Sequence, residues 1–143
     1  MTLYKFETAD DANASFSEFS DNVIGKQEFI VLVTAKWCGH CIALKDEWEK
    51  MKVELKRKNK NSIKIVHVDE MFMTHMTDKH PDHAFSNLLK SAVQGFPTLV
   101  KVNKKKAVKK SSKKGGNLNG GVVEFLYHNG QRNANDLFNF VVG

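Results

Sequence analysis

Apolar residues along this chain follow two rhythms. Phe29-Ile30-Val31-Leu32-Val33 is short and apolar throughout, which predicts a central strand buried on both faces. Ile63, Ile65, Val66 and Val68 predict the next strand, closing at Asp69. Thr98 to Val102 and Val122 to Tyr127 predict two more, paired as a hairpin, and Thr2 to Phe6 a short first strand. Elsewhere the spacing is three or four residues, that of helices. Ala12, Phe16, Phe19 and Val23 share one face, with Asp10-Asp11 suited to its N-terminus and Gly25 to its stop. Cys41, Leu44, Trp48, Met51 and Leu55 share the face of a longer helix that ends at Asn59 and Asn61. Ala84, Leu88, Leu89 and Ala92 give a third face. Ala134, Leu137, Phe138 and Val141 give the last, capped by Asn133 or Asn135.

The order is β-α-β-α-β-α-β-β-α, an α/β fold with a central mixed sheet flanked by helices on both faces. One domain over residues 1–143 is expected, since this length supports one core and not two. Two stretches interrupt it. Residues 71–83 read as an irregular polar insertion, and residues 104–121 as a flexible Lys/Gly-rich hairpin loop.

Charge changes the picture in one place. Seven lysines lie between Lys104 and Lys114, and removing them from a formal charge of +6 leaves −1. The basicity is local. Such a segment can contact phosphates of nucleic acid or an anionic surface, and a solvated hairpin tip is the plainer reading. No aromatic residue is interleaved, so base stacking is not indicated. The run Lys56-Arg57-Lys58 reads as a solvated last turn that complements the helix dipole. No apolar run is long enough to cross a bilayer, and the first residues lack a secretory signal pattern, which points to the cytosol.

Both cysteines sit in Trp37-Cys38-Gly39-His40-Cys41, between the central strand and the long helix. A loop this small removes little unfolded-state entropy, so the pair is not a structural staple. A strand, a Cys-x-x-Cys pair and a helix read as a dithiol/disulfide couple. Helix amides would stabilise a negative sulfur at Cys38, with His40 in the same turn. Half of a zinc site is the alternative, but zinc needs four ligands and no second cysteine pair exists. The sulfur chemistry calls for no cofactor and no metal. The three methionines and three histidines of residues 71–83 are a soft-ligand set, or a solvated loop with methionines packed beneath.

Three motifs together resemble the thioredoxin family, most closely a catalytic domain of protein disulfide isomerase. They are Trp37-Cys38-Gly39-His40-Cys41, Gly95-Phe96-Pro97-Thr98 and Tyr127-His128-Asn129-Gly130-Gln131-Arg132. The resemblance implies a thioredoxin-like fold and thiol–disulfide exchange on protein substrates or a redox partner. It implies catalytic roles for Cys38, Cys41, His40 and Arg132. Trp37, Gly39, Phe96 and a cis Pro97 would then contact substrate. Most domains with this first motif work in the secretory pathway, so a secretory or viral setting stays open. A monomer is the default expectation.

The chain also departs from that family. Leu32 stands where the family carries a buried acid that relays the proton of the second cysteine. Lys36 and Asp46 stand at common proline positions, and Ile42 where lysine is common. These departures imply competent exchange with slowed proton transfer, partly offset by the positive charge of Lys36.

Overall fold

The apolar run forms β2 (Phe29–Thr34), and Phe29 through Val33 are all buried. Successive side chains of a strand point to opposite faces, so this run needs a helical layer on each side. Phe29, Val31 and Val33 enter one layer, and Ile30 and Leu32 enter the other. The computed structural model describes residues 1–105, 115–118 and 121–143.

Around β2 the strands form one mixed sheet. β1 (Thr2–Phe6) pairs in parallel with β3 (Lys64–Asp69), and β3 pairs in parallel with β2. On the other side β2 pairs antiparallel with β4 (Thr98–Lys105). The sheet continues through β6 (Gly121–Tyr127) to β5 (Gly115–Leu118) at the edge, giving the order β1-β3-β2-β4-β6-β5. One face is covered by α1 (Ala14–Asn22), α3 (Glu70–Lys79) and α4 (Ala84–Ala92), whose buried phenylalanines fill it. The other is covered by α2 (Gly39–Arg57) and α5 (Ala134–Val142), through Leu44, Trp48, Met51, Leu55, Leu137 and Val141. No helix of the described residues is long and apolar enough to cross a membrane.

The end of α2 follows its sequence. Asn59 adopts a left-handed φ of 52°, and the amides of Asn59 and Lys60 reach back to the carbonyls of Lys56 and Leu55 at 3.1 and 3.0 Å. That pattern satisfies the orphan carbonyls of a helix end.

Three expectations need correction. Residues 71–83 are not irregular, because Glu70–Lys79 is helix α3. Asp69 caps it by accepting from the Met71 amide at 2.9 Å, and Phe72 and Met76, four residues apart, are buried. The Ser86 hydroxyl donates to the Met76 carbonyl at 3.0 Å and ties α3 to α4. The first helical segment is split. A 3-10 turn at Ala9–Asp11 is closed by a capping box between Thr8 and Asp11, and α1 restarts at its own cap, Asn13. Gly115 and Gly116 are not loop: they lie in β5 opposite Glu124 and Val123, held by backbone pairing that needs no side chain. Lys104 and Lys105 extend β4, while Lys106 through Lys114 lie outside the described residues, as does the reading placed on them.

Candidate active site

The chain leaves β2 at Thr34, crosses Ala35-Lys36-Trp37 and enters α2 at Cys38, its N-cap. Four amides of a helix start lack partners within the helix, and a sulfur at the cap can accept one. Cys38 Sγ accepts from the Cys41 amide at 3.2 Å. In its thiol form it donates to the Phe96 carbonyl at 3.4 Å. Both cysteines are free thiols, 6% and 7% exposed. Burial pushes the Cys41 thiol up to about 11, and its hydrogen bond with Cys38 adds to this. A hydrogen bond with the Ala35 backbone and the charge of Arg132 pull the other way. The second cysteine therefore holds its proton firmly while the pair is reduced.

A loop from another part of the chain closes over Cys38. The Phe96–Pro97 peptide is cis. The Thr98 hydroxyl pins this loop by donating to the Gly95 carbonyl at 2.6 Å and accepting from the Gln94 amide at 3.3 Å. Phe96 packs on Ala35, Cys38 and Cys41. Its ring meets that of Trp37 edge-on, centroids 5.4 Å apart, and Trp37 is 69% exposed. An apolar rim thus stands beside the sulfur, in contact with solvent.

Arg132 is exposed in the turn before α5. With Leu44, Pro97 and His128 it lines a small cavity of about 30 Å³. Its turn is anchored on α2, because the Ala134 amide donates to Glu47 Oε1 at 2.8 Å. The structure thus brings Cys38, Cys41, Trp37, Phe96, Pro97 and Arg132 together. His40 is exposed on the first turn of α2. At Gly39 a Cβ would meet nothing within 4 Å, so space does not demand a glycine there.

The departures have structural consequences. Leu32 is 1% exposed and sits opposite His67 in β3 and Leu99 in β4. It lines a cavity of about 210 Å³ behind the site, shared with Cys41, Thr34, Trp48, His67 and Asp69. His67 carried no mark in the sequence beyond being the polar residue between Val66 and Val68. Its Nε2 lies 2.9 Å from Thr34 Oγ1. Burial, with Lys5 and Lys52, pulls its imidazole down from 6.5 to about 4. Lys36 is engaged with Glu7 at 3.8 Å, and Arg132 is the cation that lowers Cys41. Among the described residues no group of three or more His, Cys, Asp or Glu could hold a metal ion. His75 and His80 have ring centroids 5.5 Å apart.

A family model described as Thioredoxin matches residues 10–128. The chain is 28% identical to protein disulfide-isomerase A6 of Mus musculus, and equally to that of Homo sapiens, over 82 residues. The match takes 57% of this chain and spans only 16% of the length of those relatives. Among solved structures it resembles the Trx4 domain of ERdj5, with TM-score 0.51 and 15% identity over 99% of this chain and 95% of that one. It also resembles the first two thioredoxin domains of Saccharomyces cerevisiae Eps1p, with TM-score 0.54 and 16% identity over 87% and 37%. These likenesses are of fold. The chain belongs to the thioredoxin family.

Proposed function

We propose that this thioredoxin-family chain is a thiol–disulfide oxidoreductase of the protein disulfide isomerase type, acting on disulfides of protein substrates. The observation that carries the reading is the setting of Cys38. Its sulfur caps α2 and accepts the Cys41 amide at 3.2 Å, beside the exposed Trp37–Phe96 rim. Helix amides and dipole favour negative charge at that atom.

Cys38 is the nucleophile. Its thiolate attacks one sulfur of a substrate disulfide and forms a mixed disulfide, and the other substrate sulfur leaves as thiolate. Cys41 then gives up its proton and attacks Cys38 Sγ. The Cys38–Cys41 bond forms, the bond to substrate breaks, and the pair has lost two electrons to the substrate. Run backwards, the same steps donate a disulfide. Arg132 lowers the cost of charge on Cys41, in line with its effect on that thiol. Trp37, Gly39, Phe96 and Pro97 form the rim on which an extended substrate segment lies, with the Phe96 backbone as its pairing partner. His40 favours the reduced pair.

The test is a redox titration of Cys38 and Cys41 in glutathione buffers, read by tryptophan fluorescence. The expected midpoint lies in the upper half of the range from about −270 mV for thioredoxin to about −180 mV for protein disulfide isomerase. A value near the upper end fits an oxidase or isomerase in an oxidising compartment. A value near the lower end fits a cytosolic reductant. Absence of any redox transition overturns the reading.

A further inference from the structure

We propose that the cavity behind the site is the proton route of Cys41, and that His67 is the relay residue that takes the place of a buried acid. The inference rests on the reading of the Cys38–Cys41 pair as an exchange couple and concerns its second step.

That step has a proton problem. Cys41 is almost fully buried, and its thiol must ionise before its sulfur can attack Cys38. Burial opposes the ionisation. The proton needs a polar way out, and the carbon side chain of Leu32 offers none. The cavity does. It has room for several waters, and Cys41, His67, Thr34 and Asp69 all line it. Trp48 lines it too, and Trp48 Nε1 is a buried donor without a protein partner among the described residues. A buried indole N–H normally has a partner, and water in this cavity can supply it. At the rim stand Lys36 and Lys45, with Lys36 open to solvent.

His67 suits relay rather than storage. The groups whose charges act on it are Lys5 from β1, Lys52 and Glu49 from α2, and Asp69 from its own strand. Lys5 and Lys52 oppose charge on the ring, Asp69 and Glu49 favour it, and Lys52 and Glu49 are themselves paired at 3.0 Å. Burial and the lysines keep the ring neutral at neutral pH. A neutral imidazole accepts a proton on one nitrogen and gives one up from the other. Its Nε2 is held by Thr34 Oγ1, so the ring is oriented across β2 and β3.

In the mixed disulfide, the Cys41 S–H proton passes through cavity water to His67. The Cys41 electron pair forms the bond to Cys38 Sγ. The bond between Cys38 and substrate breaks, its electron pair leaves on the substrate sulfur, and that sulfur is protonated from solvent. His67 returns its proton to solvent through the cavity mouth. No further oxidant is needed, because the substrate disulfide is what is reduced.

Single-turnover reduction of a fluorescent peptide joined through a disulfide separates the two steps. Attack by Cys38 gives the mixed disulfide, trapped by acid quench, and attack by Cys41 releases the peptide. The wild-type chain is compared with His67→Leu and His67→Gln from pH 6 to pH 9, with folding checked by circular dichroism. Gln keeps a hydrogen bond to Thr34 but cannot relay a proton, and it serves where Leu does not fold. Attack is expected to keep its rate in both variants. Release at pH 7 is expected to slow by about a hundredfold, the low end of what a positioned acid–base group supplies. The deficit narrows toward pH 9 as hydroxide takes the proton directly, and the solvent isotope effect on release falls. Wild-type release in either folded variant overturns the relay. Absence of the attack phase in the wild-type chain would instead overturn the function proposed for the pair.

Discussion

The two faces of the sheet are built on different terms. The face under α1, α3 and α4 is closed by aromatic rings. Phe6 stacks on Phe72 at 5.2 Å, and Phe19 meets Phe29 edge-on at 5.4 Å and Phe85 at 5.2 Å. The face under α2 and α5 carries both cysteines, a cavity of about 210 Å³ and a tryptophan whose N–H has no protein partner among the described residues. Aromatic pairs add stabilisation beyond the area they bury, whereas a cavity forfeits contacts. The difference is a division of labour. One face holds the fold, and the other keeps polar room beside a sulfur that must change charge. Local stability is expected to follow the same line.

The largest effect that would break this comparison is Phe19→Ala. Phe19 is fully buried and touches rings of four elements. The expected loss is about 3–5 kcal/mol in urea unfolding, a large share of a typical domain's stability. The redox midpoint of the folded fraction should stay where it was. A midpoint that moved with Phe19→Ala would mean that the two faces are not independent.

The closed face and the open face also differed in how readable they were. Phe16, Phe19 and Val23 recur at helical spacing, as do Ala84, Leu88 and Ala92, and the run at Phe29–Val33 announces a strand buried twice over. The cysteine pair could be placed because strand, pair and helix are adjacent in sequence. Helix α3 was missed because Thr74, His75, Thr77 and Asp78 dilute its two buried positions, Phe72 and Met76. Strand β5 was missed because ladder bonds come from backbone, which a glycine-rich sequence does not advertise. His67 was missed for a deeper reason. Its meaning depends on Thr34, Leu32 and Cys41, which meet only when β2, β3 and α2 assemble.

A second effect, of middle size, sharpens the comparison through pH. The folded protein holds His67 near 4 against 6.5 when free, so the unfolded chain binds a proton that the folded chain refuses. Stability is therefore fully present above pH 6.5 and is lost as pH falls toward 4. Between pH 7 and pH 5 the loss from this group is about 2 kcal/mol. The closed face has its own histidine, the half-buried His83, whose Nδ1 accepts from the Phe85 amide at 2.9 Å and which is also lowered, chiefly by burial. Comparing urea midpoints of the wild-type chain and His67→Gln at the two pH values isolates the open face. The variant should lose that part of the slope and keep the rest. An unchanged slope would mean that the cavity is wet enough to solvate an imidazolium.

The smallest expected effect is the most informative about why the open face is open. Leu32→Glu restores a carboxylate beside Cys41 and His67, on a side chain that already lines the cavity. Burial there raises a carboxyl group and costs some stability, so the urea midpoint should fall slightly. Turnover near neutral pH should nevertheless rise by a small factor, because a carboxylate takes the Cys41 proton more readily than a neutral imidazole held near 4. The gain should be larger in a His67→Gln background, where the native relay is gone. Assayed by peptide-disulfide reduction, a rise in both backgrounds means that proton exit limits the second step. A rise that needs His67 means that the carboxylate works only through the imidazole. No change, or a loss, in either background means that the cavity is not where the proton leaves, and the openness of this face would then need an explanation other than proton traffic.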